Sequence, residues 1–321
     1  MTVPLVAALA IGIALPHMLR LDRSAPMAAA IIWTVSLLLR ALLVVFVVLY
    51  LAFFLPTTEI FGLFTHWCWH TVVPLLATHL GLNGHRVGDA ATILPGLLAM
   101  ASLLSVAVGV ARAARAVKRL LARHSLGPGP ADSVIVAGRE VMMAAAGLKR
   151  PKVVVSAGAL LELDDDELAA GLDHERGHIA RRHRYMLVFA ELCRGVGRIV
   201  PGAVHASNQL AFHLERDADQ WALRRHDRLA LASVICKAAS TQPFGAVAVS
   251  ASLSGTGTSE RLGQLVDGSA QPSRGLRAMM LNAAAAGMVC AALIAAAVVP
   301  STALAGAGQL NAQQQVRHCE K

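Results

Sequence analysis

Residues 173–183 read D-H-E-R-G-H-I-A-R-R-H, and the rest of the chain is organised around them. His174, Glu175 and His178 form an H-E-x-x-H pattern. On a helix, positions i and i+4 share one face about a turn apart, so both imidazoles can reach a single ion. Glu175 is rotated aside, where it can take a proton from water instead of binding the ion. Two neutral nitrogen ligands, an open coordination position and a neighbouring carboxylate predict a zinc hydrolase. The plainer alternative is a surface helix carrying two His by chance, in a chain with 13 of them.

A third ligand is needed, because catalytic zinc usually takes three protein ligands. Residues 213–219 read H-L-E-R-D-A-D. Glu215 and Asp219 are again i and i+4. Glu215 would complete a two-His, one-carboxylate site holding one Zn²⁺ per chain. Asp219 would accept the free ring N–H of a ligating His and fix its tautomer. Asp217 faces elsewhere and is expected to be solvated. The competing reading of this stretch is a solvated charged helix face.

Together with Lys152-Val153-Val154-Val155-Ser156 and residues 164–168, these motifs resemble the membrane-embedded gluzincin metallopeptidases. Two related groups fit, the beta-lactam-sensor-type and the heat-shock/CAAX-prenyl-protease-type peptidases. The resemblance covers residues 112–278. It includes a further His after the motif, at His183, and a strand and helix start before it. Arg176 departs from the apolar residue usual at that position. The resemblance implies an integral-membrane zinc metalloendopeptidase acting on a protein substrate at or near the cytoplasmic face, in regulatory signalling. A transcriptional repressor, a misfolded membrane protein (quality control) or a lipidated peptide (CAAX-type) would each suit as substrate. The tail after residue 304 is short, so beta-lactam sensing in the strict sense is not expected. Ser259-Glu260-Arg261-Leu262 resembles a helix start bearing a basic residue, so Arg261 becomes a candidate for the oxyanion or for substrate contact; a surface Arg is the alternative. His226 and Tyr185 are further oxyanion candidates. The resemblance also implies a substrate chain added as a strand beside residues 153–156.

In that mechanism Glu175 removes a proton from the attacking water and delivers it to the leaving amine. A non-enzymatic membrane regulator with a structural metal site competes with this reading, but such a site has no use for Glu175. A channel or transporter fits poorly with a large hydrophilic insert.

Composition agrees with a membrane setting. Of 321 residues, 55% are hydrophobic and 15% charged, with mean hydropathy +0.56, too apolar for an ordinary soluble protein. The fold class expected is mainly α: a multi-span helical membrane protein with a cytoplasmic zincin-like α+β domain. Residues 1–111 would hold three spans (1–19, 28–55 and 90–111), with an outer loop at 56–89. Residues 112–278 would form the metallopeptidase domain, 279–304 a fourth span and 305–321 a short outer tail. Basic residues flank the first loop, the end of the third span and the start of the fourth, which puts 112–278 in the cytoplasm. Arg40 interrupts the second span and would face a bundle interior or snorkel. His66 and His70, with Trp67 and Trp69, suit either an interfacial segment or a second metal site.

The net charge of +9 is accounted for by contact with anionic lipid, and no nucleic-acid module is present. Five Cys (68, 193, 236, 290 and 319) form no C-x-x-C pair; Cys68 and Cys319 both fall on the outer side. Within the domain, residues 127–130 (G-P-G-P) should break a helix, 134–136 and 153–155 should be strands, and 139–146 should be helical. One of Asp164, Asp165 or Asp166 should cap the motif helix. Gly177 inside that helix costs about 1 kcal/mol against Ala, which close approach of a neighbouring strand or substrate backbone would justify, plain tolerance being the alternative. Residues 240–259 read as a loop, and the Glu215 helix as 207–225.

Overall fold

The computed structural model describes residues 2–19, 21, 24–53, 84–148, 150–240, 257–267, 283 and 287. Among the described residues, three helices come first: α1 (Thr2–Met18), α2 (Pro26–Phe53) and α3 (Gly84–His124). A small mixed sheet follows, made of β1 (Ser125–Pro128), β2 (Val134–Val136), β3 (Met143–Ala146) and β4 (Lys152–Ser156). Then come α4 (Ala157–Glu162), α5 (Asp165–Ala180), α6 (His183–Val196), α7 (Ala203–Ala222), α8 (Arg228–Ser240) and α9 (Thr258–Val266). The described chain is mostly helical. The expected fourth span apart from residues 283 and 287, the 56–83 part of the outer loop, the loop at 241–256, the tail, and Cys68, Cys290 and Cys319 lie outside the described residues; Cys193 and Cys236 are free thiols.

Strand order is β1-β2-β4-β3, with β2 and β4 parallel and the outer pairs antiparallel. β4 is the central β-branched run, and Val153, Val154 and Val155 are all buried because both its faces and both its edges are covered. Residues 143–146 are extended, not helical as their Ala-rich composition predicts. Two things override the propensity. The ladder of β4 claims the segment, and Ser156 Oγ accepts the Met142 N–H at 3.0 Å while donating to Glu140 O at 2.5 Å. The G-P-G-P stretch does stop α3, but its first half pairs as β1 against β2.

Asp164 caps α5 through a capping box: the Glu167 N–H donates to Asp164 Oδ1 at 2.8 Å, and the Asp164 N–H to Glu167 Oε2 at 3.0 Å. Glu167 is in turn held by Lys237 Nζ at 2.6 Å and Ser233 Oγ at 2.5 Å, both from α8. The motif helix is therefore anchored at its start by a neighbour as well as by its own cap.

α2 lies along α6 and α7. Ala29, Ile32 and Leu37 of α2 share one apolar core with Leu9 of α1, Ala190 and Cys193 of α6, and Ala206, Leu210 and Leu214 of α7. That core straddles the boundary expected at 111/112. Among the described residues, two helices are long and apolar enough to cross a bilayer, by length and composition alone: Pro26–Leu49 within α2 and Gly96–Ala116 within α3. They overlap the second and third expected spans, 28–55 and 90–111. α1, where the first span is expected, is a helix of 17 residues.

Candidate functional site

α5 and α7 cross closely enough to bring His174, His178 and Glu215 together. Gly177 permits the approach: a Cβ there would sit 3.0 Å from Trp221 Cβ and 3.3 Å from Ala218 Cα, both on α7. The close neighbour is a helix, not a strand or a substrate. His174 Nε2 and His178 Nε2 are 3.3 Å apart, His178 Nε2 is 3.4 Å from Glu215 Oε1, and His174 Nε2 is 3.5 Å from Glu215 Oε2. Nitrogen or oxygen ligands at about 2.0–2.1 Å from a tetrahedral zinc lie about 3.3–3.4 Å from one another. The triangle has that edge length, and these three residues are the metal-capable group found among the described residues.

Tautomers fit as well. His183 Nε2 lies 3.1 Å from Asp217 Oδ2, and a carboxylate accepts, so Nε2 carries the His183 proton. His183 Nδ1 then accepts from His178 Nδ1 at 2.9 Å, which leaves His178 Nε2 bare and facing the gap. His174 Nδ1 lies 3.0 Å from Asp219 Oδ1, somewhat off the ideal N–H···O line, and this contact again leaves Nε2 bare. Asp217 is thus buried and bonded to His183, not solvated as its position on the helix face implies. Finding that role required knowing that the start of α6 packs on α7, which no spacing in the sequence reveals.

Arg261 of α9 is buried and makes a three-way fork. Its Nε and Nη2 donate to Asp219 at 2.9 and 2.8 Å, and its Nη1 donates to Glu215 Oε2 at 2.8 Å. The oxyanion role considered for Arg261 therefore competes with carboxylates that already engage all three of its nitrogens. The other two oxyanion candidates are engaged too: the Tyr185 hydroxyl donates to Leu148 O at 3.0 Å, and His226 Nε2 lies 2.9 Å from Asp173 Oδ2.

Electrostatically the pocket favours a cation. Burial opposes charge on His174, yet the Asp219 and Glu215 carboxylates outweigh it and raise its pKa to about 10, so a proton competes with a metal ion for His174 Nε2 and the bare tautomer is the one a bound ion would select. Burial, together with the neighbouring positive groups, pushes His178 down to about 3. Burial would raise Glu215, but Arg261 and the two His hold it well below the ordinary carboxylate range. Glu175 is raised to about 7, chiefly by burial. Its Oε2 accepts the Ala145 N–H of β3 at 2.7 Å, a contact that fixes the carboxylate beside the triangle.

β3 is the outer strand of the sheet on this side. The Ala145 N–H reaches Glu175, so Ala145 and Met143, which share its parity, turn their backbone groups away from β4. The edge available to an added strand is therefore β3. β4, expected to take that part, is interior.

Residues 110–250 match the family model for Peptidase family M48, a match that supports an M48 metallopeptidase assignment. The matched segment contains His174, Glu175, His178, Glu215 and Asp219, and stops short of Arg261. It does not separate the sensor-type from the CAAX-type group. Among curated proteins and solved structures, nothing matches the chain.

Proposed function

We propose that this chain is an integral-membrane zinc metalloendopeptidase that cleaves a protein substrate at the cytoplasmic face, with His174, His178 and Glu215 holding one Zn²⁺. The observation that carries the reading is the near-equilateral triangle of ligand atoms, 3.3–3.5 Å on each side, with Glu175 beside it. When bound, the ion would supply Lewis acidity and an acidified water. Glu175 would act as the proton carrier: one carboxylate oxygen is fixed by Ala145, and the other can accept a proton from the attacking water and pass it to the leaving amine. Asp219, Arg261, His183 and Asp217 would orient the ligands. The substrate backbone would pair with the outer edge of β3 through the groups that Glu175 leaves open there, since it already holds the Ala145 N–H, and such pairing favours an extended peptide with little demand on its sequence. Multi-pass insertion, the cytoplasmic placement of residues 112–278 and a regulatory role with a repressor-like substrate belong to this proposal. They rest on the basic flanks of the apolar stretches and on the family resemblance.

Purified full-length protein in detergent, incubated with a fluorescent casein probe, tests the reading. Glu175→Gln should retain zinc at the wild-type ratio while cleavage falls by about 10²-fold or more. Unchanged cleavage would remove Glu175 from the mechanism. Zinc without cleavage in either protein would favour a regulator with a structural metal site.

A further inference from the structure

Asp173 stands one residue ahead of His174 and is 5% exposed, yet it is not one of the three candidate ligands. Its two oxygens hold separate segments. Oδ1 accepts from Arg176 Nη1 at 3.0 Å, and Arg176 Nη2 donates onward to Ala131 O, in the turn between β1 and β2, at 2.7 Å. Oδ2 lies 2.9 Å from His226 Nε2 and 3.6 Å from Arg225 Nη1. A carboxylate accepts, so His226 carries a proton on Nε2.

His226 belongs to the last turn of α7, because its backbone N–H donates to Ala222 O at 3.1 Å. α5 and α7 run antiparallel: Asp173 meets His226, His174 meets Asp219, and His178 meets Glu215. The Asp173–His226 pair therefore pins the C-terminal end of α7 to α5. On the other side of the crossing, Asp217 of α7 is held by His183, and between the two pins Gly177 lies against Ala218 and Trp221. Sliding α7 along α5, or swinging it about Gly177, would have to break one of these contacts. His226 is about two helical turns beyond Ala218, and a pin set that far from the crossing resists a swing better than one beside it.

The metal triangle is sensitive to such movement. Glu215 is the ligand that α7 supplies, and its oxygens lie 3.5 and 3.4 Å from the two imidazole nitrogens of α5. Ligand bonds of about 2.0–2.1 Å leave little room for longer edges. We infer that Asp173 and His226 form a clasp that positions the metal ligands: Asp173 is a positioning residue that acts through His226 on the place of Glu215, and touches neither ion nor substrate. This role rests on the metal-centre reading proposed above, and it assigns His226 to the scaffold instead of the oxyanion.

Zinc retention of the full-length protein in detergent, measured by chelator competition beside its thermal midpoint, tests the clasp. Losing a group that orients metal ligands commonly weakens metal binding about 10–100-fold, and at least about 10-fold is expected for Asp173→Ala and for His226→Ala. The double variant should lose no more than either alone, because each removes the same contact. His226→Gln, whose amide offers an N–H at similar reach, should recover most of the retention. Cobalt(II) in place of zinc should show displaced ligands as altered visible absorption in both alanine variants, with a spectrum near wild type in His226→Gln. A lowered midpoint with zinc retention and cobalt spectrum unchanged would overturn the proposal and leave the pair as a structural tie. Additive losses in the double variant would overturn it too. Wild type that holds no zinc would sink the metal-centre reading and the clasp with it, whereas wild type that holds zinc beside insensitive variants sinks the clasp alone. Should Asp173→Ala fail to fold, the comparison of His226→Ala with His226→Gln decides.

Discussion

Glu167 shows how one side chain can serve two elements. It completes the α5 capping box and accepts from Lys237 and Ser233 of α8. Burial alone would raise its pKa, but Lys237, Ser233 and the Asp164 N–H together hold it below the ordinary value of 4.5. The stabilisation is therefore full above that value and fades as pH falls through the lower, folded pKa. Glu167→Gln is expected to cost about 1–3 kcal/mol at pH 7. The gap between wild type and variant should close in acid, where wild type loses the same charge; thermal melts from pH 7 down to about 3 measure it. At this scale the sequence was partly legible. The i, i+4 pairs His174/His178 and Glu215/Asp219 lie on shared faces, and the structure brings them together, because helical spacing is local. Asp217 was not legible, since its partner His183 is fixed by how α6 meets α7. Nor was the Ala145 N–H, since a backbone donor leaves no trace in residue type.

At the level of elements, the crossing of α5 and α7 sets the spacing of the candidate ligands, and two glycines report on it in opposite senses. Gly177→Ala places a methyl against Trp221 and Ala218, so the helices must part by a few tenths of an ångström. We expect several-fold weaker zinc retention in a chelator competition, despite the roughly 1 kcal/mol that Ala gains in helix propensity. Gly263→Ala on the exposed face of α9, where nothing lies within 4 Å, should instead raise stability by up to about 1 kcal/mol and leave zinc retention unchanged. The sheet was the least legible element. Its two Val-rich strands announce themselves by β-branching, whereas β3 is an M-A-A-A run that is a strand only because β4 offers it a ladder and Ser156 pins its approach. Local composition favours helix there, and a contact distant in sequence decides otherwise.

For the molecule as a whole, the long apolar helix α2 and the helices around the candidate site are not separable. α6 and α7 bury Ala190, Cys193, Ala206, Leu210 and Leu214 against α2. A fragment beginning at residue 112 would expose that apolar face, and we expect it to aggregate or to lack a cooperative melt by circular dichroism, whereas the 321-residue chain should melt cooperatively. The expected division at 111/112 followed hydropathy, which marks where apolar runs end but not what they pack against.

The Arg261 fork has one more consequence. It ties α9, the first described helix beyond residues 241–256, to Glu215 and Asp219. Stripping a bound ion would leave those carboxylates drawing more strongly on Arg261 and the two imidazoles, so the fork would retune its grip rather than simply hold. Backbone amides of Thr258–Val266 should then exchange with deuterium at a rate that tracks zinc occupancy, while those of α4, remote from the fork, should not. A short helix beyond the catalytic motif would serve as a built-in gauge of whether the centre is loaded.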